Sequence, residues 1–457
     1  MNFMRKYLLT FIILGSITQT FGQDNKEIIR LSITDAQTYA IQNNRNVRTA
    51  KIDIDIATKQ VKETLAIGLP QLNMAANYQH QFVVPVLSFG PYLDINALPD
   101  GFITKAELQN AYKDSPPVPL GVANNTTIDF TVSQLIFSGE YLVGLQALKI
   151  FKQVSEKAFA KTEVQTKESV ADTYYLILVQ GESVRVLNES LKSMDRTYND
   201  LLKMNQQGFN EETDVDQIKI SWSNLKRLIT SIESQKEISE KLLKYQLGMD
   251  FAQPILLTDS LSWLIMEGNM KYLIPPVFDV AHSVDYQIVN DQVRISGALL
   301  KREQSKLLPV VSAFYRRHEQ TNQPSFNFAV KDLAGVSLNF PIFTSGQRSS
   351  KISQARYNLQ KSEINKENAE QGLIMEFETA LSNYQTAYSN YTTNSESIVL
   401  SKKIYDKTLI KFQEGISTSF ELSQNQSQFL TSEATYYNSV LSLLSAKSKL
   451  DRILSIY

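Results

Sequence analysis

The sequence predicts a mainly α-helical chain that carries β-hairpins of the membrane type, with one order of helix, two strands and long helical hairpin built twice. Three observations carry that prediction. Prolines are missing from two stretches of more than a hundred residues each, matching Leu-Pro and Ile-Phe signatures recur at matched spacing, and side chains alternate with period two between the members of each pair.

The first residues read as a leader. Arg5 and Lys6 precede an apolar run from Tyr7 to Ile17, and the small Gly22 stands just before Gln23. This is the layout of a secretory signal peptide over residues 1–22, with an apolar run too short to span a bilayer well. The mature chain would hold about 435 residues, enough for two or three domains. The whole chain has 46 Lys and Arg against 47 Asp and Glu, so no basic surplus points to a nucleic acid. Without cysteine there is no disulfide, thiolate metal site or Cys nucleophile. His80, His282 and His318 are too far apart in sequence to form a ligand pair at helical spacing. No run of 18 apolar residues follows the leader, which argues against a transmembrane helix; barrel strands are short, alternating and weak in hydropathy, and remain open.

Nothing separates Pro119 from Pro254 and no proline follows Pro341, and both stretches are rich in Lys, Glu, Gln, Leu, Ala and Ser. In the first, Val170, Tyr174, Ile177, Gly181, Val184, Leu187, Leu191 and Met194 keep three- and four-residue steps; in the second, Ile374, Phe377, Leu381, Tyr384, Tyr388 and Tyr391 do the same. This is a seam of the coiled-coil kind. Gly208 breaks the first stretch and Gly415 the second, so each predicts two long antiparallel helices joined by a tight turn.

The halves superpose in sequence. Leu135-Ile-Phe-Ser-Gly139 answers Pro341-Ile-Phe-Thr-Ser-Gly346, and Gly68-Leu-Pro-Gln-Leu72 answers Leu307-Leu-Pro-Val-Val311. Phe137 lies 71 positions before Gly208 and Phe343 lies 72 before Gly415. The expected division is a first repeat over 23–250, with a hairpin at about 71–136 and a helical hairpin at about 138–250. An inter-repeat segment follows at 251–276, then a second repeat over 277–457, with its hairpins at about 310–343 and 345–457.

Alternation fills the space between the signatures. Leu72, Met74, Ala76 and Tyr78 share one face against Asn73 and Asn77; Ile128, Phe130 and Val132 oppose Thr127, Asp129 and Thr131. Val311, Ala313 and Tyr315 alternate with Ser312 and Arg316, and Val336, Leu338 and Phe340 with Gly335, Ser337 and Asn339. Two hairpins per chain make no soluble sheet alone, but hairpins from several chains can close into a barrel without open edges. Asn73, Asn77, Asp129, Thr131 and Asn339 would then face a wet lumen, and Leu72, Met74, Phe130, Leu338 and Phe340 lipid. The insertion from Pro85 to Gly121, with a short helix expected near 104–112, suits an extracellular loop.

In this duplicated order the sequence resembles the TolC-like outer membrane factors, over nearly the whole mature chain. The resemblance implies a homotrimer in which each chain gives four strands to a twelve-stranded barrel and long helices to a periplasmic α-helical barrel. A helix of about 70 residues is about 105 Å long, which suits a conduit between membranes. It implies partners in a periplasmic adaptor, an inner-membrane transporter and outer-membrane lipid, and no cofactor, metal or nucleic acid. The 251–276 segment, with Trp263, would pack around the tunnel. The function implied is passive efflux of small molecules or drugs; a duct for type I protein secretion is the alternative. A periplasmic coiled-coil adaptor is a distant third, since it would lack the two alternating hairpins. The sequence shows no phosphate-binding Gly-rich loop and no Gly-x-Ser-x-Gly, in keeping with a channel that is not an enzyme.

The resemblance also locates a periplasmic entrance at the helical turns. Six residues after each turn glycine the family often has an acid, here Asp214 and Glu421. A second acid three residues on is replaced by Gln424. The family's latch sets an aromatic hydroxyl and an arginine against the first acid; here those positions are Phe412 and Ser417, so that latch cannot form as such. Three acids about a narrow axis would favour cations. Capping is the competing reading: Thr418-Ser-Phe-Glu421 fits a capping box, and Asp214 with Glu211 and Glu212 suits a helix N-terminus.

Overall fold

The computed structural model describes residues 27–87, 106–107, 110, 117–266, 272, 276–323 and 327–455. The leader, most of the 85–121 insertion and all but three residues of the helix expected near 104–112 lie outside them. The chain divides into two compact units. One holds the described residues up to Arg48 with Thr162–Phe278 and Glu376–Tyr457; the other holds Thr49–Lys161 and Asp279–Met375.

The expected duplication is present in the element lengths. Helix α3 (Gly139–Gln206) has 68 residues and α7 (Gln347–Gln413) has 67; their hairpin partners α4 (Glu212–Leu247) and α8 (Ser419–Ile453) have 36 and 35. The second helix of each pair is thus about half as long as the first. Gly248 ends α4 in the left-handed conformation (φ 74°), its N–H reaching the carbonyls of Lys244 and Tyr245. The early turns of α3 and α7 have a different companion, α6 (Val284–Ser305). Lys157 and Lys161 of α3 pair with Asp291 and Asp285 at 2.5 Å, and Ser296 bonds Ser362 of α7 at 2.8 Å. Asp291 is almost wholly buried, and Arg294 at 2.7 Å gives it a second cation, as a buried carboxylate requires.

In this second unit the strands β2 (Gln71–His80), β5 (Asn124–Phe137), β7 (Val310–Gln320) and β8 (Asp332–Asn339) form one antiparallel sheet in that order. Between β2 and β5 lie two short strands, β3 (Val86–Leu87) and β4 (Val118–Pro119), which pair with each other. The register preserves the faces read from sequence across all four long strands. Leu72 is opposite Val132, Val132 opposite Tyr315 and Tyr315 opposite Ala334; Asn73 is opposite Thr131 and Thr131 opposite Arg316. The polar face is cross-linked by Asp129 and His318 at 2.7 Å and by Gln320 and Asn125 at 2.9 Å. Two expectations need correction. Phe340 falls beyond the end of β8, where Pro341 has no N–H to extend the ladder. The apolar face also turns charged toward the hairpin ends: Phe130 is opposite Arg317, which pairs with Glu319 at 2.8 Å, and Tyr315 donates to Asp332 at 2.6 Å.

The first unit is centred on an apolar core of Tyr174, Leu243, Leu247, Tyr384, Val440, Leu443 and Leu444 with Ala36 and Ala40 of α1 (Ile33–Asn43). Helix α1 starts in a capping box between Ser32 and Asp35, and α2 (Arg45–Ile67) follows it. A parallel pair of three-residue strands, β1 (Ile29–Leu31) and β6 (Ile255–Leu257), ties the N-terminal segment to the inter-repeat segment, followed by α5 (Leu261–Ile265). Asp259 fixes this junction, accepting from Tyr174 Oη at 2.9 Å and from Ile33 N–H at 2.7 Å. Trp263 is half exposed.

Gly248 yields a first prediction. A Cβ there would stand 2.4 Å from the Asn43 carbonyl oxygen, on a backbone already at positive φ. Gly248→Ala is therefore expected to destabilise the first unit by about 1–3 kcal/mol, read as a lowered melting temperature in detergent.

Candidate functional site

The two helical turns of the first unit lie side by side, and each is built by a glycine. Gly208 (φ 78°) and Gly415 (φ 76°) adopt the left-handed conformation with open space around them, so backbone geometry and not crowding selects glycine. Each closes its helix the same way: Phe209 N–H reaches Met204 O at 3.0 Å, and Ile416 N–H reaches Lys411 O at 2.8 Å. The residue after each glycine is apolar and largely exposed, Phe209 and Ile416, and Phe420 stands exposed beside them. Beneath the turns Met194, Leu201, Val215, Ile218, Tyr405, Leu422 and Phe429 form a buried cluster.

The expected acids have different surroundings. Asp214 does not cap α4: the N-cap is Glu211, which makes no side-chain cap bond. The Asp214 carboxylate instead accepts a 2.5 Å hydrogen bond from Ser419, the first residue of α8, across to the other hairpin. Ser419 is buried, so its hydroxyl needs a partner within the protein, and a carboxylate is the strongest one at hand. Asp214 still sits in the first turn of α4, where the helix dipole favours it. Two turns along, Ser221 donates to Ser423 at 3.2 Å, a second bond between the hairpins.

Glu421 fulfils half of its capping box. Thr418 Oγ1 accepts from Glu421 N–H at 3.1 Å, while the Glu421 carboxylate turns away and accepts from Ser417 Oγ at 2.6 Å. The carboxylate is exposed, as is Gln424. Phe412 is half-buried against the cluster beneath the turns and serves as packing. The structure therefore brings Asp214 to Ser419 and Glu421 to Ser417 and leaves Phe412 and Gln424 out of both bonds. The reading from sequence missed Ser419 as the partner of Asp214, and it missed the exposed Phe209, Ile416 and Phe420. The apolar residues at glycine plus one were a visible signal; a bond between residues 205 apart was not.

Residues 292–455 match the model of the outer membrane efflux protein family. The matched residues lie within the second repeat. The fold extends the likeness to nearly the whole chain. The outer membrane channel CmeC of Campylobacter jejuni aligns with a TM-score of 0.71 at 15% identity, over 92% of this chain and 85% of that one. The outer membrane protein VceC of Vibrio cholerae aligns with a TM-score of 0.68 at 13% identity, over 92% and 95%. CusC, whose structures concern folding and transmembrane channel formation, aligns with a TM-score of 0.72 at 14% identity, over 92% and 91%. No curated protein sequence matches the chain significantly. No described helix is long and apolar enough to cross a membrane.

The hydroxyl–carboxylate link between the turns is testable by a double-mutant cycle. Asp214→Asn and Ser419→Ala are each expected to lower stability by about 1–2 kcal/mol, and the pair to show a coupling of about 0.5–3 kcal/mol in denaturant melts.

Proposed function

We propose that three copies of this chain form an outer-membrane exit duct, with a helical tunnel in the periplasm, that passively conducts small molecules or drugs delivered by an inner-membrane transporter and a periplasmic adaptor. The observation that carries this reading is the sheet. Its four strands leave β2 and β8 as edges among the described residues, and its two faces differ in chemistry until the charged cluster near the hairpin ends. Pairing β8 of one copy with β2 of the next gives a closed ring of twelve strands and removes every edge. Leu72, Met74, Val132, Val336 and Leu338 then meet lipid, while Asn73, Asn77, Thr131, Arg316 and the Asp129–His318 pair line a wet lumen. The Arg317, Glu319 and Asp332 cluster near the hairpin ends suits the depth of lipid headgroups.

The helical turns of the first unit are the entrance. Phe209, Ile416 and Phe420 make an exposed apolar rim, which supports a protein partner there, the adaptor. Asp214, held by Ser419, fastens the two hairpins of one copy, a closing link made without an arginine. Glu421 projects a solvent-exposed carboxylate, bonded to Ser417, from the second turn, and three of them about the trimer axis would favour cations.

Two neighbours in β5 test the barrel. Val132→Arg places a charge between Leu72 and Tyr315 on the lipid face and is expected to cost about 2–4 kcal/mol, emptying the outer-membrane fraction of trimer. Thr131→Arg, one residue away on the lumen face, is expected to leave trimer yield intact. Equal loss in both, or recovery of wild type as a soluble monomer, would overturn the duct.

The entrance is tested by single-channel recording. Glu421→Gln keeps the reach of the side chain and its acceptor for Ser417 while removing the charge. Cation selectivity is expected to fall and block by multivalent cations to weaken, with trimer stability nearly unchanged. An unchanged reversal potential would remove Glu421 from the gate and leave its carboxylate only the bond to Ser417.

A further inference from the structure

The inner seam of α8 runs through Leu422, Gln426, Phe429, Glu433, Tyr437, Val440 and Leu444, all buried. Glu433 stands in its middle at 1% exposure, and neither carboxylate oxygen has a hydrogen-bond partner. Its neighbours along α8 define the setting. Phe429 stacks on Tyr405 of α7 with ring centroids 5.7 Å apart. Leu430 packs with Leu187 of α3 and with Leu225 and Ile229 of α4. Tyr437, one turn later, belongs to the main core of the unit. The carboxyl therefore lies where the two helical hairpins meet, in a stretch of α8 flanked by aromatic and aliphatic side chains.

The charges around it offer no relief. From α7 the seam presents Tyr405, whose phenol is pushed up to about 12 by burial. From α3 the charged groups are Glu182 and Arg185; both act on Tyr437 and are engaged with each other at 2.6 Å. The cluster flanking it from α4 is apolar, Leu225, Ile229 and Ile232. Burial alone acts on Glu433, and it pushes the carboxyl up to about 8. A carboxylate without a cation or donor is strongly disfavoured there, whereas the neutral acid is tolerable.

We propose that Glu433, buried and without a hydrogen-bond partner, is a proton-binding site, carried as the neutral acid in the folded protein, whose ionisation loosens the seam between the two helical hairpins. The folded-state affinity for the proton is raised, so the folded protein holds one proton more than the unfolded chain from the ordinary carboxyl range up to about pH 8. Stability is full below that window, falls as the pH rises through it, and levels off above. The site concerns the interior of one protomer and does not rest on the duct reading.

The test uses the full-length protein in detergent, compared at about pH 6 and about pH 9.5 by infrared difference spectroscopy and thermal melts. Wild type is expected to lose a protonated-carboxyl C=O band on the alkaline side and to melt several degrees lower there. Glu433→Gln, close in shape, and Glu433→Met, which fills the site without a polar head, are expected to lack that band and to melt with a much flatter pH dependence. Survival of the band in both variants, its absence from wild type at neutral pH, or the same pH slope in all three proteins would overturn the assignment.

Discussion

Unpaired backbone at the two edges of the four-stranded sheet is the constraint from which the rest of this architecture follows. β2 offers ten residues and β8 eight, each with a row of amide and carbonyl groups that the described chain does not satisfy. In hydrocarbon such groups cost several kcal/mol each, and in water a long flat edge recruits other strands. In the proposed duct rotational symmetry resolves both difficulties at once, because the outer edge of one copy is complementary to the first edge of the next. Closure also demands strict parity: one slipped register would bring Asn73 and Thr131 to lipid and Leu72 and Val132 to water. The bulge between Leu135 and Phe137 falls at the C-terminal end of β5, past its last pairing with β2.

Long-range order in this chain was legible wherever a period could run. The proline-free stretches became helices that match between repeats to within one residue, and the alternating stretches became strands whose faces match the register. Legibility failed where no period exists. β1 and β6 are three residues each, too short to alternate, and their pairing joins segments more than two hundred residues apart. The turn acids failed for another reason. Asp214 and Glu421 sit at equivalent sequence positions, and local rules treat both as helix-start acids. The fold separates them, because Ser419 is buried against the first hairpin and Ser417 is not.

Hydroxyl groups are the partners of both acids at these turns. A serine donor to a carboxylate is a short, directional bond with no desolvated cation to accommodate. Its strength is set by burial, so the Asp214–Ser419 bond, part-buried, holds the hairpins together more firmly than the exposed Ser417–Glu421 bond holds anything. One acid is therefore bonded across to the other hairpin while the other stays exposed to solvent. Duplication supplied two equivalent positions, and the side chains facing them determined that only one remained electrostatically available.

The same helix shows the limit of that logic. Glu421 and Glu433 lie twelve residues apart on α8, one in water and the other in the seam. Twelve residues is a little over three turns, so the two point in different directions from the axis, and the step is enough to move an acid from the solvent edge to the inner face. Seam spacing through Leu422, Phe429, Tyr437 and Val440 marks position 433 as internal from sequence alone. A Glu at such a position conflicts with the pattern around it, and burial resolves the conflict by keeping the proton. Local pattern and residue type disagree most sharply there, which is where a chemistry absent from both repeats' shared plan has room to reside: the matching place in the first repeat, eighteen residues after its turn glycine, is Lys226, whose ammonium lies over the Trp222 ring at 5.1 Å.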